Sequence, residues 1–185
     1  VRFVLGITGA SGAIYAARFL QHMQALGHLV DVVVSTSGQQ VLDFEKQSDC
    51  LALAARQFSN DDFFAAPASG SAHYAGMLIA PCSMGTLGRI AAGISDSLLA
   101  RAADVCLKER RPLVVLPREM PFSRIHLENM LRLQDAGATI IAASPSFYRN
   151  PTTIEELVDS VLAKVFDHLH VAHQLVKPWG EEPNT

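Results

Sequence analysis

Little charge and few cysteines mark this 185-residue chain, and each scarcity closes off a class of function. Charged residues are 18% of the total and the net charge is −3, so no basic excess is present to hold nucleic acid or a membrane surface. No apolar run approaches the roughly 20 residues that a bilayer-spanning helix requires. Cysteine occurs only as Cys50, Cys82 and Cys106, an odd and scattered set that suits reduced cytoplasmic thiols better than a disulfide framework. The first residues, VRFVLGI, read as a strand and not as a charged, apolar, small-residue leader, so no export signal is expected. Two nucleotide signatures are also missing, the GxGxxG of dinucleotide sites and the GK[ST] of a P-loop.

What is present is enough apolar sequence for a large core, 49% of residues, so a folded chain is expected. The length fits one domain, expected over residues 1–170, followed by a tail at 171–185 that packs on a neighbour or frays. Strand-like runs at 3–7, 30–34, 77–80, 113–116 and 139–142 alternate with helical patterns. The helices are expected at about 12–26, 38–44, from about 84, over the basic stretch from Arg101, and at about 153–169. Residues 60–71, rich in Asp, Pro, Ala and Gly, read as a long loop. Such alternation predicts βαβ units, hence a parallel sheet covered on both faces.

In such a sheet ligands bind beyond the carboxyl ends of the strands, so the strand ends are where function is sought. The run Leu113 to Leu116 stops at Pro117 and delivers Arg118 and Glu119 side by side, two charges that need a ligand or a partner. A strand-capping ion pair is the plain alternative. The first strand ends in Thr8-Gly9-Ala10-Ser11-Gly12-Ala13, where glycines let backbone N–H groups face an anion at a helix start. The second is followed by Ser35, where a dinucleotide site wants a carboxylate for the ribose, which disfavours NAD. The run ending at Ala80 leads into Pro81-Cys82-Ser83-Met84-Gly85-Thr86, a second anion cradle or simply a capped turn.

The histidines do not read as a metal site. His168, His170 and His173 cannot share one helical face, and a solvated or interface cluster is expected. His126 falls on an apolar helix pattern and is expected in a core or interface. Cys82 and Cys106 have no base at triad-like spacing, so no nucleophilic role is expected.

The segments TGASGA, PCSMGTL, RAADVCLKERRPLVVLPREMPFSRIHLENM and PSFYRNP together resemble the flavin prenyltransferases, the UbiX/Pad1 family long labelled aromatic-acid or polyprenyl-hydroxybenzoate decarboxylases. The resemblance runs from Phe3 to about Leu169 and its central block is its most specific part. It implies a flavodoxin-like (Rossmann-like) three-layer α/β sandwich, assembled into a homododecamer with active sites between subunits. It implies that a dimethylallyl group passes from dimethylallyl phosphate to N5 and C6 of reduced FMN. The product, prenylated FMN, would go to a UbiD-type decarboxylase, and no metal is needed. By the same resemblance FMN would meet Gly9, Ala10, Ser11, Ser35, Ser83, Met84, Gly85, Thr86 and Arg118. The prenyl phosphate would meet Arg101, Lys108, Tyr148 and Lys164. Glu119 would act as acid/base, with Glu45 and Ser11 paired in a proton relay and Lys108 taking part in the chemistry. Some members carry Arg at the place of Lys164; Lys keeps the charge but loses the bidentate fork.

Two other readings stay open on the sequence. One is a flavin-dependent decarboxylase of the phosphopantothenoylcysteine or peptidyl-cysteine type; its PASANT-type motif is here Pro67-Ala68-Ser69-Gly70-Ser71, without the Asn. The other is an FMN carrier, which would need the cradles but not Glu119, Lys108 or Lys164.

Overall fold

A computed structural model describes residues 1–176. Six parallel strands lie in the order β3-β2-β1-β4-β5-β6: β1 (Arg2–Ile7), β2 (Leu29–Val34), β3 (Arg56–Ser59), β4 (Met77–Cys82), β5 (Leu113–Pro117) and β6 (Thr139–Ile140). The central strands are buried along nearly their whole length, as continuous apolar runs require when both faces are covered. Helices α1 (Ala13–Ala25), α2 (Thr36–Phe44) and α6 (Ile154–His168) contribute to the core on one face. Helices α3 (Met84–Ala91), α4 (Leu98–Lys108) and α5 (Arg124–Asp135) contribute to the core on the other. The expected three-layer α/β sandwich is what forms.

Two chemistries hold α1 to α6. Phe19 and Phe166, both fully buried, stack with ring centroids 5.5 Å apart. Alongside them Asp159 accepts from Arg18 at 2.5 and 3.0 Å and bonds His22 at 2.9 Å. A second network closes the amino ends of the strands. Asp31, 0% exposed, takes Arg2 Nη1 at 2.6 Å, Arg56 Nη2 at 2.6 Å and the Tyr74 hydroxyl at 2.6 Å. Burial and the Asp31 charge push the Tyr74 phenol well above its usual range.

The structure adds to or departs from expectation in four places. Strand β3, RQFS, carries a single apolar side chain, so no alternation announced it; it forms as an edge strand against β2. β6 pairs over Thr139–Ile140 only, and residues 141 and 142 lie outside it. The stretch 60–71 is the long loop expected, with one addition, a 3-10 turn at Ala66–Ala68 that buries Pro67 beside α4. Of the two places expected for His126, a core or an interface, the core is not the one it takes: its Nδ1 accepts the Ser123 N–H at 3.2 Å while the Ser123 hydroxyl accepts the His126 N–H, a capping box that starts α5. Of the tail expected over 171–185, residues 171–176 are described, and Val171 and Leu175 pack on this chain's own core beside α6; residues 177–185 lie outside the described residues.

Candidate functional site

Strand order reverses between β1 and β4, and ligands bind in the crevice beyond the carboxyl ends at such a switch point. The two loops that flank this crevice are tied together by one side chain. Thr8, 1% exposed, donates its hydroxyl to the Pro81 carbonyl at 2.8 Å and accepts the Ser83 N–H at 2.7 Å. Ser35 N–H to the Ile7 carbonyl, 2.9 Å, and Arg118 N–H to the Cys82 carbonyl, 3.2 Å, extend the lashing to the ends of β2 and β5.

The glycine loop differs from its expected role in one respect. Gly12 adopts φ 111°, a left-handed conformation that glycine tolerates, and begins α1 without a side-chain cap. The acceptor comes from elsewhere: Glu45, just past α2, takes the Gly12 N–H at 3.1 Å and the Ala13 N–H at 2.7 Å. A protein carboxylate therefore holds the helix start that the sequence left to a ligand anion. Glu45 and Ser11 still line the same open cleft, of ≈ 580 Å³, with Gly9, Ser37, Phe44 and Arg118. At Gly9 an added Cβ would run into the Ser37 side chain, so glycine is required for that approach.

The hydroxyls of Ser35 and Ser83 act first as helix caps. Ser35 Oγ accepts the Gly38 N–H at 3.0 Å, and Ser83 Oγ accepts the Thr86 N–H at 3.3 Å while donating to Thr86 Oγ1 at 3.1 Å. Ahead of Thr86, the N–H groups of Met84 and Gly85 occupy the first positions of α3 and have no intrahelical acceptor. Little crowds Gly85; an added Cβ would meet only Arg89 Nη1, at 3.6 Å. This end of the crevice fits an anion such as a flavin phosphate.

Arg118 and Glu119 do not spend themselves on each other. Arg118 Nε donates to the Ser11 carbonyl at 3.1 Å, and Glu119 Oε1 accepts the Met120 N–H at 3.0 Å. Arg118 borders two clefts. One is the glycine-loop cleft; the other, ≈ 390 Å³, is lined by Glu119, Phe122, Ala143 and Ser144.

The residues expected to meet the prenyl phosphate divide into two groups. Arg101 and Lys108 project from α4, with Arg101 on Asp104 at 2.5 Å and Lys108 paired with Glu109. Tyr148 and Lys164 line a separate cleft of ≈ 530 Å³ against α6, where Lys164 meets Asp167 at 3.0 Å. α4 and α6 cover opposite faces of the sheet, so one protomer does not bring the two groups together. Each cation rests on a nearby carboxylate in a partly exposed pair, which an incoming phosphate can replace.

Sequence reasoning missed Thr8, Ser37 and Phe44. Phe44 carried a signal, since it falls off the Gly38 and Leu42 stripe that α2 buries, and it is 89% exposed. All three cysteines are buried and unpaired, and burial pushes the thiols of Cys82 and Cys106 up to about 12. Those thiols stay protonated and are poor nucleophiles.

A family model described as Flavoprotein matches residues 1–177. A flavin prenyltransferase UbiX from Halalkalibacterium halodurans is 45% identical, over 97% of this chain and 94% of the relative. Among solved structures, AnUbiX (PadA1) in complex with FMN and dimethylallyl pyrophosphate superposes with a TM-score of 0.94 at 36% identity, covering 98% of both chains. A dodecameric FMN-dependent UbiX-like decarboxylase from Escherichia coli O157:H7 gives a TM-score of 0.90 at 40% identity, over 94% of this chain and 97% of the other.

Proposed function

The chain belongs to the flavoprotein family and, within it, to the UbiX-type flavin prenyltransferases, and on that premise we propose that it joins the dimethylallyl group of dimethylallyl phosphate to N5 and C6 of reduced FMN. The product is prenylated FMN, for use by a UbiD-type decarboxylase. FMN supplies the nucleophilic ring that accepts the prenyl group. The geometric observation that carries the reading is Arg118, bonded to the glycine loop at Ser11 and standing between two clefts, with Glu119 in the second.

Gly9, Ala10, Ser11 and Ser35 would hold the flavin from one side and Ser83, Met84, Gly85, Thr86 and Arg118 from the other. Closing the second bond at C6 removes an aromatic proton, and Glu119 is the carboxylate assigned to take it. Ser11 and Glu45, on one cleft wall, are assigned to proton transfer at the other end. Expelling the prenyl phosphate develops negative charge that fixed cations stabilise. Arg101 and Lys108 supply two of these, and Lys108 stays with the leaving group through the reaction. Lys164 supplies another, with the Tyr148 hydroxyl as a further donor. Because α4 and α6 lie on opposite sheet faces, Tyr148 and Lys164 of one copy complete the site of another. The dodecamer of the Escherichia coli relative supports a homo-oligomer of that size here.

Residues 1–170 are read as one flavoprotein domain. Among the described residues no helix is long and apolar enough to cross a membrane, and the buried free thiols support a cytoplasmic setting. The test is mass spectrometry of the flavin after anaerobic incubation with reduced FMN and dimethylallyl phosphate. A flavin heavier by one dimethylallyl unit is expected; recovery of unmodified FMN sinks the assignment.

A further inference from the structure

The segment just before β4 runs beside α4, and three of its alternate carbonyls are taken by cations. Ala68 O accepts Arg101 Nε at 3.2 Å, Gly70 O accepts Arg111 Nη2 at 2.5 Å, and Ala72 O accepts Arg111 Nη1 at 2.7 Å. Ser69 is extended, and a turn closed by the Ala72 N–H on the Ser69 carbonyl at 3.2 Å then presents the Gly70 and Ala72 carbonyls to Arg111. Arg111 is aimed by the end of α4: Arg110 turns at φ 54°, and the Arg111 N–H returns to the Cys106 carbonyl at 2.8 Å. The segment packs directly on the Lys108–Glu109 pair. A Cβ added at Gly70 would collide with the Glu109 carboxylate and lie 2.9 Å from Lys108 Nζ.

We propose that Arg111 is a positioning residue for the prenyl-phosphate site. Its fork fastens residues 70–72 against α4, and that segment in turn holds Arg101 and Lys108 where the phosphate is received. Two carbonyls two residues apart match a planar guanidinium; a lysine ammonium, lacking the rigid fork, secures only one of them well. This rests on the assignment of Arg101 and Lys108 to the donor phosphate. Arg101 and Lys108 hold the bound donor and also meet the charge that develops on its phosphate, so their misplacement raises the donor KM and lowers kcat while FMN binding is kept.

The experiment compares Arg111→Met, Arg111→Lys, Gly70→Ala and Lys108→Met in the full chain, reading KM for dimethylallyl phosphate, kcat and the FMN dissociation constant. Arg111→Met should raise the donor KM on the order of tenfold with FMN binding unchanged. Arg111→Lys should recover part of that loss, and Gly70→Ala should raise the same KM. A wild-type donor KM in Arg111→Met, with a raised one in Lys108→Met, overturns the positioning role and leaves the phosphate assignment standing. A wild-type donor KM in Lys108→Met overturns both. Equal weakening of FMN and donor in Arg111→Met means a general structural role and also overturns the proposal. Should Arg111→Met fail to fold, Gly70→Ala decides: an unchanged donor KM there is contrary to it.

Discussion

At the amino ends of the strands, Asp31 is wholly buried and every charge around it is answered within the chain by Arg2, Arg56 and Tyr74. At the carboxyl ends, Arg118 and Glu119 stand exposed, one bonded to a backbone carbonyl and the other to a backbone N–H. The side-chain chemistry is the same, an arginine and a carboxylate, and the outcome is opposite. A carboxylate without water must be paired, so Asp31 locks three strands and is unavailable to any ligand. A carboxylate at an open strand end keeps its capacity for a proton, and there the fold places the glycine loop, the capped start of α3 and two clefts.

Substitution at each end sharpens the contrast. Glu119→Gln should cut the prenylation rate about 10²–10⁴-fold with the melting temperature and FMN binding kept, since only the proton acceptor is lost. Wild-type turnover in that variant, read by anaerobic single-turnover absorbance, would make Glu119 structural and move the base to Glu45. Asp31→Ala should do the reverse, costing about 3 kcal/mol in urea unfolding while the folded fraction keeps its turnover. That is the low end for breaking a buried pair, because the side chains of Arg2 and Arg56 remain 31% and 46% exposed and can rehydrate. A loss of turnover larger than the loss of folded protein would break the division between the two ends.

Thr8 lies on the border, being buried like Asp31 yet holding the two loops of the crevice. Thr8→Val keeps the shape and removes both hydrogen bonds, and is expected to weaken FMN binding about tenfold, the worth of one or two such bonds. Thr8→Ser should restore it; fluorescence titration with FMN checks both, and equal affinity in all three chains would show that the tie is not needed.

The smallest effect concerns pH. Burial alone would raise the Asp159 carboxyl, but hydrogen bonds from Arg18 and His22 and their charges outweigh it, and the net shift is downward. A depressed carboxyl stabilises the fold fully above its unfolded value of about 3.9 and loses that contribution as pH falls through the lower native value. Wild-type stability should therefore exceed that of Asp159→Asn at neutral pH and converge on it in acid below about pH 4. A gap in urea midpoints that stays constant across that range would contradict the shift.

Much of this was legible in the chain. Branched apolar runs marked β1, β2, β4 and β5, and the points where the runs stop place Ser11, Ser35, Ser83, Arg118 and Glu119 beyond the carboxyl ends of the sheet. β3 was not legible because an edge strand needs only one apolar side chain, Phe58, to pay its way. Glu45 could be named only through family resemblance. Its role at α1 depends on a contact across 33 positions, and no local pattern encodes such a meeting. Nor does spacing reveal that Lys108 and Lys164 face away from each other across a sheet.

That separation offers the most direct trial of the whole account. Lys108→Ala and Lys164→Ala chains are each prepared alone and then assembled together in equal amounts. Each alone should be nearly inactive, while mixed oligomers should regain about a quarter of wild-type turnover, since random pairing joins an intact α4 to an intact α6 in that share of sites. Mixed oligomers no more active than either variant alone would contradict a site shared between copies.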